Sequence, residues 1–450
     1  MTIKKEKSLN VFREVECLTE DTPPIKGIDL IKIWKADNRN IGGYLHKFED
    51  YNIKVFDFLG IKPKISGSDK SISISFATSK FIGAIPLRSP KTGTQIGDFI
   101  IIPRYIGRDK YEDYVEILKL LDYEINIETI DSLPLISGRN FRPPMYLEAM
   151  KFLSSLEEVI KRTWRKFDRI EKISHIPQGS INWNKYIKAE YKVENRIRFP
   201  VGKNILSEFH KEYSQIKYVF DLCKSELLSS NTPLKVKLNI RGQIDYLSEK
   251  LYNHFPLKID FIQTRFSDNP FVKNCKICAN KILGSKFIDS TAWRVDFSIV
   301  FEKFVQYIFK EVAKECGGHL FSNYKFRREY SQQYFSWGLK HLEPDIIFQK
   351  GDKIFFIDAK YKAHLYNKNE RSEILKETHR TDLHQLLAYA SFSETKQKFG
   401  FLCYPSQKIE ISEIKYSNSL NQTNSLIKIF GLPLRIGIIP EAKKMLLNEL

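Results

Sequence analysis

Residues 343–360 read EPDIIFQKGDKIFFIDAK, and this stretch decides how the C-terminal part of the chain folds. Two runs of β-branched and aromatic residues flank a polar turn with one glycine, which is the pattern of a β-hairpin. If the strands pair symmetrically about that glycine, Asp345 comes level with Ile357 and Asp358. Alternate side chains of a strand share a face, so Asp358 and Lys360 point to the same side. The sequence therefore predicts two carboxylates beside one lysine.

This grouping suits the hydrolysis of a phosphodiester. Paired carboxylates bind a hard cation such as Mg²⁺, which keeps waters and also binds substrate phosphates. A neighbouring lysine can orient or help deprotonate the attacking water, or neutralise charge on the scissile phosphate. The alternative is an exposed turn aspartate and an ion pair that closes a strand. The segments on either side favour the hydrolytic interpretation.

The segment before the hairpin has an apolar stripe at helical spacing, with Glu302 just beside it. The residues of the stripe are Phe301, Phe304, Val305, Ile308 and Val312. A strand is expected from Tyr324 to Tyr330, between this helix and the hairpin. Glu302 is a candidate to reach a metal directly or through water, and a surface charge is the alternative.

After the hairpin, Thr381 or Asp382 is expected to cap a second helix. In that helix Gln385 and Tyr389 lie one turn apart, beside the buried face. The buried face consists of Leu383, Leu386, Leu387 and Ala390. An apolar strand over 399–405 follows. The predicted order is thus helix, three strands, helix, strand, which is an α/β arrangement.

Pro344-Asp345 followed by Asp358-Ala359-Lys360 resembles the signature of the PD-(D/E)XK nuclease superfamily, or restriction-endonuclease-like fold, whose core order is αβββαβ. Gln385 and Tyr389 resemble the Q-x-x-x-Y element of its RecB-like branch. A further likeness is to McrC, the nuclease subunit of McrBC-type restriction systems, and to the related LlaJI-type restriction subunits. The phrases that carry it lie at 344–346, 357–362, 382–390 and 403–405.

The resemblance implies a Mg²⁺-dependent DNA endonuclease, the cleavage subunit of a McrBC/LlaJI-type system and thus a type II/IV-like restriction endodeoxyribonuclease. The metal ligands that it implies are Asp345, Asp358 and Glu302, and the further catalytic residues are Lys360, Gln385 and Tyr389. The implied partners are double-stranded DNA and a separate McrB-like AAA+ GTPase. GTP belongs to that partner, because no G-x-x-x-x-G-K-[ST] phosphate loop occurs in this chain.

Two other functions stay open, since fold-level analogy does not determine the substrate. One is a stand-alone RecB-like repair or defence nuclease, which copurification with an AAA+ subunit would distinguish from a restriction subunit. The other is a non-catalytic scaffold with a nuclease fold that binds DNA and activates a partner ATPase or GTPase. Asp345, Asp358 and Lys360 argue against a scaffold, which has no need of all three.

The composition favours a polyanionic partner. The 450-residue chain has 72 Lys and Arg against 54 Asp and Glu, which gives a formal net charge of +18. Such an excess favours binding to phosphates, with a solvated basic surface as the alternative. No stretch approaches the length of a membrane span, and no apolar leader follows the first residues. A cytoplasmic protein is therefore expected.

Three regions are expected along the chain. Residues 1–133 are β-rich and loosely resemble the McrC domain that docks on the GTPase. Residues 134–290 are mainly helical and form a linker or DNA-facing region, and residues 291–450 hold the nuclease. The clearest strand patterns cover 71–76, 81–87 and 99–103, and the clearest helical patterns in the middle region cover 146–164 and 204–228.

Cys275 and Cys278 have the spacing of a zinc-binding pair, and Cys316 and His319 would complete a set of four ligands. The alternative is packing, because the pair lies in the helical pattern of residues 271–283, where small buried cysteines are common. Packing is favoured, since no second C-x-x-C occurs in the sequence.

Overall fold

The computed structural model describes residues 15–68, 71–104, 117, 120–121, 127–134, 146–177, 179–229, 232, 234–285, 291–327, 341–365, 373–418 and 423–450. The chain divides into two compact units, the first formed by residues 1–143 and 289–450 and the second by residues 144–288. The first and third predicted regions therefore share one unit. None of the helices in these ranges is long and apolar enough to cross a lipid bilayer.

The N-terminal part of the first unit is β-rich, as expected. Its elements are β1 Val15–Glu16, β2 Ile25–Lys26, α1 Gly27–Trp34, α2 Ile41–Leu59, β3 Lys62–Ser66, β4 Ser73–Ala77, β5 Phe81–Arg88, β6 Gln95–Ile102 and β7 Glu128–Pro134. Strands β4, β5 and β6 confirm the three predicted strands. Leu45, Phe48 and Phe56 form the buried face of α2, and the Phe48 and Phe56 rings lie 5.9 Å apart. The joint between this region and the next falls mostly outside the described residues.

The second unit combines helices with a small sheet. Its elements are α3 Tyr146–Lys161, β8 Lys166–Ser174, β9 Ser180–Ile181, α4 Trp183–Ala189, β10 Phe199–Ser207, α5 Lys211–Leu228, α6 Leu234–Lys250 and α7 Pro270–Ser285. Helices α3 and α7 confirm the helical patterns at 146–164 and 271–283. The pattern at 204–228 was wrong at its start, because residues up to Ser207 pair with β8. Helix α5 begins only after His210, whose Nδ1 accepts a hydrogen bond from Tyr213 N.

Strand β11, Thr291–Asp296, belongs to the N-terminal sheet. It lies between β5 and β7 in a five-stranded sheet of order β1-β6-β5-β11-β7. Trp293, opposite Ala84 of β5, is fully buried. The first residues of the predicted third region thus complete the sheet of the first region. They lead directly into the helix Phe297–Cys316, which borders the candidate site.

The C-terminal part of the first unit is built on a six-stranded sheet of order β12-β15-β16-β17-β19-β18. The elements are α8 Phe297–Cys316, β12 His319–Ser322, β13 Phe326–Arg327, β14 His341–Leu342, β15 Ile346–Lys350, β16 Lys353–Ala359, α9 Glu373–Ala390, β17 Gln397–Pro405, β18 Glu410–Asn418, β19 Thr423–Leu432 and α10 Ile439–Glu449. Strands β13 and β14 form a separate two-stranded sheet.

Helices cover both faces of this sheet. Phe356, Leu402 and Tyr404 pack with Leu386 and Tyr389 of α9 in one apolar cluster. On the other face, the Phe309 ring of α8 lies 5.7 Å from the ring of Phe401. Strands β16 and β17 are parallel, so α9 is the crossover between them. Alternate residues of each strand therefore face α8 or α9.

Two predicted boundaries in this region were wrong. The strand beside β15 is His319–Ser322, not the expected strand over 324–330, and residues 328–330 lie outside the described ranges. The chain leaves the sheet at Asn323, which has a left-handed φ of 52° and donates a hydrogen bond from its backbone N to Asp345 O. Helix α9 already covers Glu373–Ala390, so Thr381 and Asp382 lie inside the helix and cap nothing.

Gly83 of β5 provides a test of the β5–β11 pairing. Its φ is +152°, and a Cβ there would lie 2.0 Å from Trp293 O. We expect Gly83→Ala to displace β11 and to lower the free energy of unfolding by about 2–3 kcal/mol. Chemical denaturation of the full chain measures this loss.

Gly97→Ala is the matched control for that substitution. Gly97 lies in β6 of the same sheet, and a Cβ there meets nothing within 4 Å. Its replacement should change the free energy of unfolding by less than about 1 kcal/mol. Equal effects of the two substitutions would contradict the close approach of β11 to β5.

Candidate active site

The two predicted aspartates lie opposite each other at the open end of the hairpin. Ile346 pairs with Ile357, which confirms the predicted register and places Asp345 opposite Asp358. Asp345 Oδ2 accepts a hydrogen bond of 2.7 Å from Ala359 N. Asp358 is 1% exposed. The backbone of the hairpin therefore holds the Asp345 carboxylate in place beside the buried Asp358.

Lys360 is the nearest cation to this pair. Its Nζ lies 2.7 Å from Asp358 Oδ2, and its backbone N donates to Cys403 O at 2.8 Å. Apart from this ion pair, Asp358 Oδ2 is buried and accepts no hydrogen bond from the described residues. A buried carboxylate oxygen in this state is suited to bind a cation.

Burial and mutual repulsion raise the pKa values of both aspartates. Burial, together with the charges of Asp358 and Glu302, raises the pKa of Asp345 to about 8. Burial also raises the pKa of Asp358, although Lys360 opposes this effect. Burial alone would lower the pKa of Lys360, but Asp358 and Asp345 hold that pKa above its ordinary value. The lysine therefore stays charged, and Asp345 is protonated at neutral pH.

The carboxylate of Glu302 in α8 lies close enough to the two aspartates to interact with their charges. Burial and the charge of Asp358 raise the pKa of its carboxyl group. The side-chain amide of Gln306 donates to Glu302 Oε1 at 3.2 Å and to Asp345 O at 3.2 Å. Gln306 thus ties α8 to the hairpin. The sequence analysis missed it, although it lies one helical turn after Glu302.

Gln385 and Tyr389 of α9 form a hydrogen-bonded pair near the hairpin. Gln385 Nε2 donates to Tyr389 Oη at 2.6 Å, and Tyr389 Oη donates to Glu343 O at 3.3 Å. Burial raises the pKa of Tyr389, and the charge of Asp358 adds to this effect. The amide therefore contacts the tyrosine rather than Lys360, and the pair supports the start of strand β15.

Asp382 is a further buried carboxylate that the sequence analysis took for a helix cap. It is 2% exposed and accepts hydrogen bonds from Lys362 Nζ at 2.6 Å and from Tyr404 Oη at 3.0 Å. His364 Nε2 lies 3.9 Å from Asp382 Oδ2, the oxygen that accepts from Tyr404. The spacing of Asp382, Leu386 and Tyr389 on one helix face was a signal for its inward position.

Residues 278–405 match the family model described as McrBC 5-methylcytosine restriction system component. This part of the chain is McrBC-like. The McrBC-like segment contains every residue of the candidate site, from Glu302 to Tyr389. It also contains the missed residues Gln306 and Asp382. No curated protein matches the chain.

Two solved structures are similar to the chain at low identity. One is the half-complex from the tetradecameric assembly of Thermococcus gammatolerans McrB AAA+ hexamers with bound McrC, at 13% identity and a TM-score of 0.48, covering 97% of this chain and 100% of that chain. The other is the Thermococcus gammatolerans McrBC complex, at 14% identity and a TM-score of 0.30, covering 66% of this chain and 88% of that chain.

The residues of the candidate site fit a divalent cation by their chemistry. Asp345 and Asp358 offer carboxylate oxygens, which Mg²⁺ prefers, and one Asp358 oxygen accepts no hydrogen bond from the described residues. Within the described part of the chain, no group of three or more His, Cys, Asp or Glu side chains is preformed as a metal site. A cation would therefore displace the Asp345 proton and shift Lys360 as it bound.

The four-ligand zinc site that the sequence left as the less favoured possibility is not formed among the described residues. Cys275 and Cys278 are buried in α7. Burial raises the pKa of Cys275 to about 12 and also raises that of Cys278. Because zinc binds the thiolate, such burial disfavours metal binding. The two cysteines are packing residues.

We expect Asp345→Asn to stabilise the metal-free protein, and more so at pH 8 than at pH 5. The folded chain keeps a proton on Asp345 up to about pH 8, whereas the unfolded chain loses it near pH 4. Folding therefore becomes less favourable as the pH rises between these values, and asparagine removes this penalty. In EDTA, the melting temperature at pH 8 should rise by about 2–4 °C.

Asp352→Asn is the control for this prediction, since Asp352 is exposed in the turn of the same hairpin. Its effect on the melting temperature should be small and equal at both pH values. A destabilising Asp345→Asn, or an effect independent of pH, would contradict the proposed protonation of the site.

Proposed function

We propose that this chain is a Mg²⁺-dependent DNA endonuclease with a PD-(D/E)XK core, the cleavage subunit of a McrBC/LlaJI-type restriction system. The observation that carries the proposal is the grouping of Asp345, Asp358 and Lys360 at the end of one hairpin, inside the segment that matches the McrBC family model. The order α8, β12, β15, β16, α9, β17 supports it, since that superfamily has an αβββαβ core.

Asp345, Asp358 and Glu302 would hold the Mg²⁺ ion. When bound, Mg²⁺ supplies a Lewis acid for the oxygens of the scissile phosphate. Glu302 is positioned by Gln306 of the same helix. The Gln306 amide donates both to the Glu302 carboxylate and to the backbone O of Asp345. The burial of Asp358 and the partial burial of Asp345 and Glu302 strengthen each electrostatic contact in this group.

Lys360 acts as a cation in this proposal. Because its pKa lies above the ordinary value, it is a poor base at neutral pH. Its charge instead offsets the negative charge that develops on the phosphate. Gln385 and Tyr389 act as positioning residues, since their hydrogen bonds hold the backbone at Glu343, two residues before Asp345.

The substrate and partner follow from charge and from what the sequence lacks. The net charge of +18 suits double-stranded DNA. Because the chain has no phosphate loop, a separate McrB-like AAA+ GTPase would bind GTP and supply recognition and translocation. We place its docking surface on residues 1–133. Strand β11 connects that region directly to α8, so a partner bound there would act one element away from Glu302.

Removal of a metal-binding carboxylate should abolish cleavage. We expect Asp345→Asn or Asp358→Asn to lower the rate of plasmid cleavage with Mg²⁺ and the AAA+ partner at least ~100-fold, and Glu302→Gln to lower it roughly 10–100-fold. Glu311→Gln is the control on the same helix, since Glu311 pairs with Lys314 at 2.5 Å. Melting temperatures establish that each variant is folded.

The wild-type protein distinguishes the other functions in the same assay. Cleavage without any partner would identify a stand-alone nuclease. DNA binding and partner activation without cleavage would identify a scaffold. Near-normal cleavage by a variant lacking both Asp345 and Asp358 would overturn the nuclease proposal.

Cross-linking of the full chain to the copurifying AAA+ subunit tests the docking region. A lysine-reactive reagent should place links on the N-terminal region, for example at the exposed Lys47 and Lys54 of α2. Lys188 and Lys203, which are equally exposed in the second unit, should react with the reagent but form no links to the partner. Links concentrated on the second unit would move the docking surface there.

A further inference from the structure

The ion pair of Lys362 and Asp382 lies beside the candidate active site and has no role in the proposal above. Asp382 is buried in the middle of α9, where an apolar side chain would pack against the sheet. Buried ion pairs contribute little to stability compared with apolar residues of similar size, because both charges lose their hydration. Stability alone therefore does not explain a buried aspartate at this position with a partly exposed lysine as its partner.

A tight turn fixes Lys362 relative to Lys360. The backbone N of Lys362 donates to Lys360 O at 2.9 Å, which closes a three-residue turn centred on Tyr361. Tyr361 is 5% exposed, its ring lies 5.6 Å from that of Phe297, and its hydroxyl lies 3.2 Å from Cys17 Sγ. The two lysines thus flank a buried residue, and these contacts fix the backbone from which both side chains extend.

Each of the two lysines is held by one buried aspartate and remains partly accessible. The Lys360 side chain is 19% exposed beside Asp358, and the Lys362 side chain is 31% exposed beside Asp382. Asp382 lies within electrostatic reach of both Lys360 and Asp358. An ammonium group has three donors, so Lys362 can keep its contact with Asp382 while it binds a further anion.

We propose that Lys362 is a second phosphate-binding cation of this site and contacts the phosphate next to the scissile one. Asp382 is the positioning residue that holds its ammonium group. Lysine binds phosphate as a point charge, and this arrangement presents two such charges from one rigid turn. The inference rests on the proposed function, since its ligand is the backbone of the DNA substrate.

Binding of a fluorescent 30-base-pair duplex to the full chain in Ca²⁺, measured over a range of KCl concentrations, tests this role. Lys362→Met should weaken binding and make the slope of log K against log[KCl] shallower by about one, as expected for one lost phosphate contact. Lys362→Arg should keep the wild-type slope. Lys443→Met, which breaks a 2.7 Å ion pair with Glu315, is the matched control and should also keep it.

A double variant separates phosphate binding from folding. Lys362→Met leaves Asp382 buried without its cation, so the variant is also made with Asp382→Asn, which still accepts from Tyr404. Lys362→Met/Asp382→Asn should fold and keep the shallower slope. Asp382→Asn alone should keep the wild-type slope, because the charge is retained, but should lower the Mg²⁺-dependent cleavage rate, because the charge is misplaced.

The outcomes distinguish this inference from the proposed function. Wild-type affinity and slope in the folded double variant would show that the pair is structural only and would overturn the inference, while cleavage by the wild type would still support the nuclease. A wild-type chain that neither binds nor cleaves DNA would overturn both.

Discussion

The repulsion among one buried and two half-buried carboxylates is the constraint on which the candidate site depends. Asp345, Asp358 and Glu302 share a partly dry space at one end of the hairpin. Lys360 neutralises only part of this charge, and in the metal-free protein Asp345, whose pKa is raised to about 8, keeps its proton at neutral pH. Such a group of carboxylates lowers the stability of the metal-free protein. A divalent cation bound between them would replace this repulsion with attraction. The packing of the sheet with its two helices offsets this destabilisation and keeps the carboxylates together.

Helix α9 shows how one element serves both packing and chemistry. One end of its sheet-facing side carries Leu386 and Ala390, which pack on the apolar middle of the sheet. Asp382, in the middle of the helix, contacts Lys362 and Tyr404 near the ends of the strands. The side chains of the parallel strands β16 and β17 alternate, so Phe356, Leu402 and Tyr404 face α9. Phe401 lies on the opposite face, which packs on α8.

Much of this arrangement follows from sequence patterns. The period-two alternation and the glycine turn determine the hairpin register, and the apolar stripe determines α8. The N-terminal strands and the helix at 146–161 also follow from local periodicity. These signals are strong because each reflects a face that must be buried.

Other features depend on distant contacts and could not be predicted. Aspartate is favoured both as a cap and as a buried acceptor, so Asp382 was misassigned until its partners Lys362 and Tyr404 were seen. The strand before the hairpin ends at Ser322 because Asn323 turns to bind Asp345 O, not because its own pattern ends. Strand β11 pairs with β5, about two hundred residues earlier in the chain, and no local pattern records such pairing.

The central claim is that the hairpin aspartates form a cation site whose metal-free form is protonated. Calorimetric titration of the full chain with Mg²⁺ at pH 7, in two buffers of different ionisation enthalpy, tests it most directly. The account predicts saturable binding with release of about one proton, loss of that release in Asp345→Asn, and loss of binding in Asp358→Asn. Binding that releases no proton, or that is unchanged in both variants, would contradict it.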